Sequence, residues 1–155
     1  EDSADGRWVP QFLSLSAAID NSRKDQTLNT PALATIVMAE RQVRWLLERG
    51  GMEAVSAHCA QASSLVYDWA EANLAAHPFV ENPTWRSPVT ATIEIDEAAN
   101  ASELAAHLRA RGIVDIGAYR GVGANQLRIG TWPSVEVEDV EALLACIDYC
   151  LERVL

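Results

Sequence analysis

Apolar residues recur at helical spacing over residues 31–49, at Ala32, Ile36, Ala39, Val43 and Leu46-Leu47. The polar stretch Gln26-Thr27 precedes them. The pattern predicts a helix with Thr30 at the N-cap and Pro31 at the first helical position, where no amide hydrogen is needed. Gly50 follows as a natural terminator and Gly51 as a joint. A second helix is predicted over 52–76, with Met52, Val55, Cys59, Ala62, Val66, Trp69 and Asn73 on one stripe and Pro78 as the stop. The period then changes from 3.6 to 2. In Val89-Thr90-Ala91-Thr92-Ile93-Glu94-Ile95 the apolar residues take one face and the polar ones the other. Asn100 with Glu103 predicts a capped helix through Ala110, ended by Gly112. Ile113–Ile116 reads as a short strand. The segment 126–131 reads as another, with Leu127 and Ile129 on one face and Arg128 on the other. A last helix is predicted behind Ser134, acidic in its first turn, with Val137, Val140, Leu144, Ile147, Leu151 and Val154 as its stripe. Two helices, then strand, helix, strand, strand, helix, fit a small sheet with helices packed on it, an α/β sandwich.

The chain has 155 residues, enough for one domain with a real core, and 22% of them are charged. A net charge of −10 argues against a nucleic-acid-binding surface but leaves room for a small anion held by a few arginines. Lys24 is the single lysine among 12 cationic residues. It lies in the charged stretch Ser22-Arg23-Lys24-Asp25, a poor setting for amine chemistry, which needs a desolvated or tuned lysine. The 3 cysteines, Cys59, Cys146 and Cys150, lack framework or zinc-ligand spacing and read as small core or boundary residues in a reducing cytosol. Neither a membrane span nor a signal peptide is evident. The chain starts Glu1-Asp2-Ser3 without methionine, and residues 1–24 are weakly periodic. The expectation is a piece of something longer, whose first segment leans on another domain.

Few residues invite chemistry. A sharply defined helix start at Asn29-Thr30-Pro31 offers unpaired amides and a positive dipole end, which suit a phosphate, although most capped helices bind nothing. Arg128 interrupts an apolar strand, and a rigidly held guanidinium fork suits a carboxylate; a sheet-face arginine in a structural ion pair is the plainer meaning. Tyr119-Arg120-Gly121 lies in the loop ahead of that strand, and Arg120 and Arg128 together suit a doubly anionic ligand. Gly121-Val122-Gly123 lacks the strand-to-helix context of a phosphate loop. Arg86 is as suited to bracing its turn as to touching a ligand. His58, His77 and His107 read as solvated helix residues or helix termini, and Trp8, Trp45, Trp69 and Trp132 as core or boundary aromatics.

Taken in order, Gln26-Thr27-Leu28-Asn29-Thr30-Pro31-Ala32, the helix with Trp45 and Gly50-Gly51, Arg86-Ser87, and Tyr119-Arg120 through Asn125-Gln126-Leu127-Arg128 resemble phosphoserine aminotransferase. The resemblance covers nearly the whole chain and points to the C-terminal part of such an enzyme. It implies a small α/β sandwich domain of a class V, fold-type I enzyme using pyridoxal 5′-phosphate. Residues 1–30 would be a linker and active-site segment from the large domain, 31–155 the small domain, and 31–49 the connecting helix. The family exchanges an amino group between glutamate and 3-phosphohydroxypyruvate in serine biosynthesis, as a cytoplasmic homodimer. By resemblance, Asn29 and Thr30 reach the cofactor phosphate of the other subunit. Arg128 takes the substrate α-carboxylate, and Arg120 the substrate phosphate. Tyr119 stands where many members have histidine. The family's Schiff-base lysine lies upstream of these residues, so the chain alone is expected to be inactive. Two other readings remain open at this point: another class V aminotransferase or desulfurase, and a non-enzymatic module that senses small ligands.

Overall fold

The computed structural model describes residues 8–120 and 125–153. The chain divides into two compact units, Glu1–Trp45 and Leu46–Leu155. In the first, a 3-10 turn at Gln11–Leu13 leads into helix α1, Leu15–Ser22. The Ser14 hydroxyl accepts the Ala17 amide at 3.1 Å and caps that helix. Helix α2, Leu33–Glu48, starts in this unit and ends in the second. It begins two residues after Pro31, and its first helical bond joins the Ile36 amide to the Ala32 carbonyl at 3.0 Å. Thr30 therefore precedes the N-cap position that the sequence pattern assigned to it.

The second unit is a two-layer sandwich. Helix α3, Gly51–Ala72, is followed by strand β1, Ala76–Pro78, strand β2, Thr90–Ile95, helix α4, Ala101–Arg109, strand β3, Gln126–Gly130, and helix α5, Val137–Arg153. The sheet order is β1-β2-β3, antiparallel throughout. Ala91, Ile93 and Ile95 on β2 and Leu127 and Ile129 on β3 form one buried row. Val66 and Ala70 from α3, Leu104 and Leu108 from α4, and Val140, Leu144 and Ile147 from α5 join them in one core. The valine, leucine and isoleucine side chains among them contribute about 1.5–3 kcal/mol each when fully buried.

Several expected boundaries shift for local reasons. Helix α3 stops at Ala72, short of Pro78, because the Asn73 carboxamide oxygen accepts the Ala75 amide at 2.9 Å and turns the chain. Ala76–Pro78 then pairs with β2, His77 opposite Glu94, as an edge strand, where proline is tolerated. Ile113–Ile116 is not a strand. Asp115 takes φ +62°, a left-handed conformation that breaks extended chain, and what remains is a bridge between Gly117 and Leu127. Helix α5 begins at Val137, beyond Ser134, after a turn closed by the Val135 amide on the Trp132 carbonyl at 2.9 Å. Its stripe is buried at Val140, Leu144, Ile147 and Cys150; Val154 lies outside the described residues. Cys146, expected in the core or at its boundary, is exposed, while Cys59 and Cys150 are buried.

Asn100 caps α4 as its spacing predicts, accepting the Ser102 and Glu103 amides. Gly50 takes φ +97°, and a Cβ there would sit 2.7 Å from the Ala54 Cβ, so only glycine makes the α2–α3 joint without strain.

Asn125 ties three elements together. Its carboxamide nitrogen donates to the Ile95, Asp96 and Ala99 carbonyls at 2.7, 3.1 and 3.0 Å, and its oxygen accepts the Ala101 amide at 2.8 Å. It thereby closes the end of β2, the start of α4 and the entry to β3. Asn125→Ala strands those backbone groups, and a destabilisation of about 1–3 kcal/mol is expected in urea unfolding.

Tyr67 gives a pH signature. Burial pushes its phenol above the ordinary value near 10, against the opposing pull of the Arg86 guanidinium. Below about pH 10 the phenol is protonated both folded and unfolded, and its contribution is fully present. Above that the unfolded chain ionises first, so stability falls as pH climbs through the raised folded value. Unfolding midpoints measured from pH 8 to 11 are expected to fall less steeply in Tyr67→Phe than in the parent.

Candidate functional site

The alternation that buries Leu127 and Ile129 sends Arg128 to the opposite face of the sheet. That outer face also carries His77 on β1, Thr90, Thr92 and Glu94 on β2, and Gln126 and Gly130 on β3. Arg128 stands opposite Thr92, and its amide donates to the Ile116 carbonyl at 2.9 Å. Beyond β3, the buried Thr131 hydroxyl donates to the Pro88 carbonyl at 2.9 Å and its amide to Val89 at 3.0 Å. The backbone under Arg128 is therefore pinned at both ends, by Asn125 before it and Thr131 after it.

The Arg128 guanidinium is half-buried and lies over the Tyr119 ring, 4.8 Å from its centroid. Among the described residues it has no hydrogen-bond or ion-pair partner. Arg86 is the opposite case. Its side chain is 13% exposed and donates to the Val80 and Glu81 carbonyls and, at 2.6 Å, to the Glu71 carboxylate, while lying over the Tyr67 ring. Arg86 braces its turn against α3. Arg44 pairs with Glu40, Arg49 with Glu136 and Arg109 with Asp115.

The structure brings Tyr119 and Arg128 together. Arg120 is exposed. The glycine pattern at 121–123 lies outside the described residues. Asn29 and Thr30 belong to the first unit, where both are exposed and neither side chain has a hydrogen-bond partner among the described residues. Their carboxamide and hydroxyl are open to donate hydrogen bonds. The only lysine, Lys24, is exposed, so nothing desolvates it for a Schiff base. Among the described residues no group of His, Cys, Asp or Glu is arranged to hold a metal ion.

The histidines divide. His58 is half-buried and bonds the Val135 carbonyl at 2.8 Å, bracing α3 against the chain before α5. His77 is a strand residue 3.4 Å from Glu94. His107 bonds within its own helix at 3.0 Å. Trp69 donates its indole N–H to Asp148 at 2.9 Å at the edge of the core. Trp8, at 84% exposed, is not a core residue.

Trp132 is a feature of the site that its sequence reading missed. A Cβ on Gly130 would lie 2.3 Å from the Trp132 Nε1, so the indole covers the outer sheet face two residues from Arg128. A glycine inside a strand, two residues before a tryptophan, is the signal that exposes it.

No family model matches the chain. A putative phosphoserine aminotransferase of Mycolicibacterium vanbaalenii is 49% identical over 151 residues, 97% of this chain and 41% of that protein. The chain thus spans about two fifths of the length of the curated relatives it matches, in their C-terminal part. Among solved structures, a phosphoserine aminotransferase from Bacillus circulans subsp. alkalophilus superposes with a TM-score of 0.78 at 25% identity, over 91% of this chain and 38% of that one. A phosphoserine aminotransferase from Trichomonas vaginalis, solved with PLP bound, shares the fold at a TM-score of 0.71 and 20% identity, over 92% of this chain and 40% of that one. Over nearly all of its length the chain is a homologue, in sequence and in fold, of the C-terminal part of the phosphoserine aminotransferases.

Proposed function

We propose that this chain serves as the C-terminal part of a phosphoserine aminotransferase, with Arg128 as the group that binds the substrate α-carboxylate. One observation carries the assignment of Arg128. It is held on a pinned strand, half-buried, with no anion of its own among the described residues. A structural arginine in that position would spend its donors on the fold, as Arg86 does. The planar fork of Arg128 instead remains available for two parallel bonds to a carboxylate. Thr92 and Trp132 flank it on the same face and limit how a substrate backbone can lie.

In this reading residues 1–30 are a segment of the large domain and 31–155 the small domain. The full-length enzyme is a cytoplasmic homodimer acting on glutamate and a phosphorylated keto acid. Asn29 and Thr30 donate to the cofactor phosphate of the other subunit, and Arg120 meets the substrate phosphate. Pyridoxal phosphate, when bound, supplies the electron sink that lets an amino group move between two acids. This chain's residues hold the substrate: Arg128 fixes the carboxylate end, and Arg120 selects for a phosphate at the other. Two fixed anionic ends set the direction of the Cα–H bond, which is an orientation effect rather than a proton transfer. The exposed Leu33, Ile36, Val37 and Met38 of α2 fit a helix that packs against further protein.

In the full-length enzyme, Arg128→Ala is expected to lower kcat/KM about 100-fold or more for glutamate and for phosphorylated substrate alike. Arg120→Ala should impair the phosphorylated substrate selectively. Equal loss with an unphosphorylated keto acid would favour another aminotransferase of the same fold type.

The isolated chain, mixed with cofactor, glutamate and phosphohydroxypyruvate, should show no turnover. A rate of about 1 s⁻¹ or faster would overturn the assignment of the catalytic lysine to another part of the enzyme. Calorimetry of the same chain with phosphoserine separates the sensing-module alternative. Binding at about micromolar strength without cofactor would favour it.

A further inference from the structure

We infer that Tyr119 is a positioning residue for Arg128, acting through its ring face and not through its hydroxyl. The inference rests on the reading of Arg128 as the carboxylate-binding group.

An arginine side chain carries about 2 kcal/mol of rotamer entropy, and an unrestrained one on an open sheet face samples many directions. A carboxylate neighbour would fix it, but it would also occupy the N–H donors and repel an incoming anion. The Arg128 Cζ lies 4.8 Å from the Tyr119 ring centroid, inside the range over which a ring attracts a cation. That attraction uses the π face, so the N–H donors remain free for a ligand.

The backbone puts the ring there. The Ile116 carbonyl accepts the Arg128 amide at 2.9 Å, and Gly117 bridges to Leu127. The segment carrying Tyr119 is therefore tied to the strand that carries Arg128. The Tyr119 hydroxyl, on a side chain that leaves the residue 59% exposed, is bonded to nothing among the described residues. Among the described residues, the one interaction of the Tyr119 side chain is through its ring.

The test uses steady-state kinetics of the full-length enzyme with glutamate and with phosphorylated substrate. Tyr119→Phe keeps the ring and should stay within about twofold of the parent for both. Tyr119→Leu removes it and should raise KM for both substrates about 3- to 10-fold with kcat little changed. In an Arg128→Gln background, adding Tyr119→Leu should change nothing further, because the ring has no cation to hold.

The inference is overturned by Tyr119→Phe as damaging as Tyr119→Leu, by a loss confined to the phosphorylated substrate, or by an undiminished Tyr119→Leu effect in the Arg128→Gln background. The first two would assign the hydroxyl to the substrate phosphate. If Tyr119→Leu lowers thermal stability and leaves KM unmoved, the ring is structural and the inference fails. If Arg128→Ala leaves activity intact, the reading of Arg128 fails instead, which is a different outcome.

Discussion

The structure depends on a single buried row across a three-stranded sheet. Ala91, Ile93, Ile95, Leu127 and Ile129 lie under α3, α4 and α5. A strand has period two, so burying this row commits every intervening residue to the other face. A slip of one residue in β3 would put Arg128 into the core and Leu127 into water. Moving an unpaired guanidinium into an apolar interior costs far more than the fold has to spare. The placement of Arg128 is therefore a consequence of packing that lies entirely on the opposite side of the sheet.

Two arginines show how context decides whether a guanidinium's donors are committed. Both lie over a tyrosine ring, Arg86 at 5.0 Å and Arg128 at 4.8 Å. Arg86 has two carbonyls and a carboxylate around it, so its donors are committed and its removal would unbrace a turn. Arg128 has the ring alone among the described residues. The difference comes from neighbours rather than residue type. Glu71 on α3 faces the Arg86 turn, whereas the nearest outer-face partner of Arg128 across the strands is Thr92, a neutral side chain.

Much of the second unit was legible in the sequence. The alternation in β2, the Asn100 cap of α4 and the two faces of β3 each follow from one local rule that the tertiary structure does not override. The misplaced boundaries share a cause. At Asn73, at Asp115 and ahead of α5, a side chain or a turn bond redirects the backbone, and period alone does not register that. Strand β1 has three residues, one of them proline, and exists only because β2 offers it an edge. Cys146 and Cys150 stand one helical turn apart, yet the step of four residues overshoots a full turn, enough to bury one and expose the other. In the site, Arg128 was visible as a charge in an apolar strand. The anchoring role of Asn125 was not, because its partners at Ile95, Asp96, Ala99 and Ala101 are remote in sequence.

The identity of the residue beside Arg128 matters electrostatically. This chain carries a net charge of −10, so any anion approaching Arg128 would meet an acidic chain, and local positive potential there counts. An acidic neighbour would order Arg128 and cancel its charge. A protonated histidine would add charge but repel the guanidinium it touches. A tyrosine ring attracts the cation through its π face and accepts none of the N–H donors in the plane of the fork. It orders the arginine while leaving the local charge intact, which is the combination that the proposed carboxylate role of Arg128 requires.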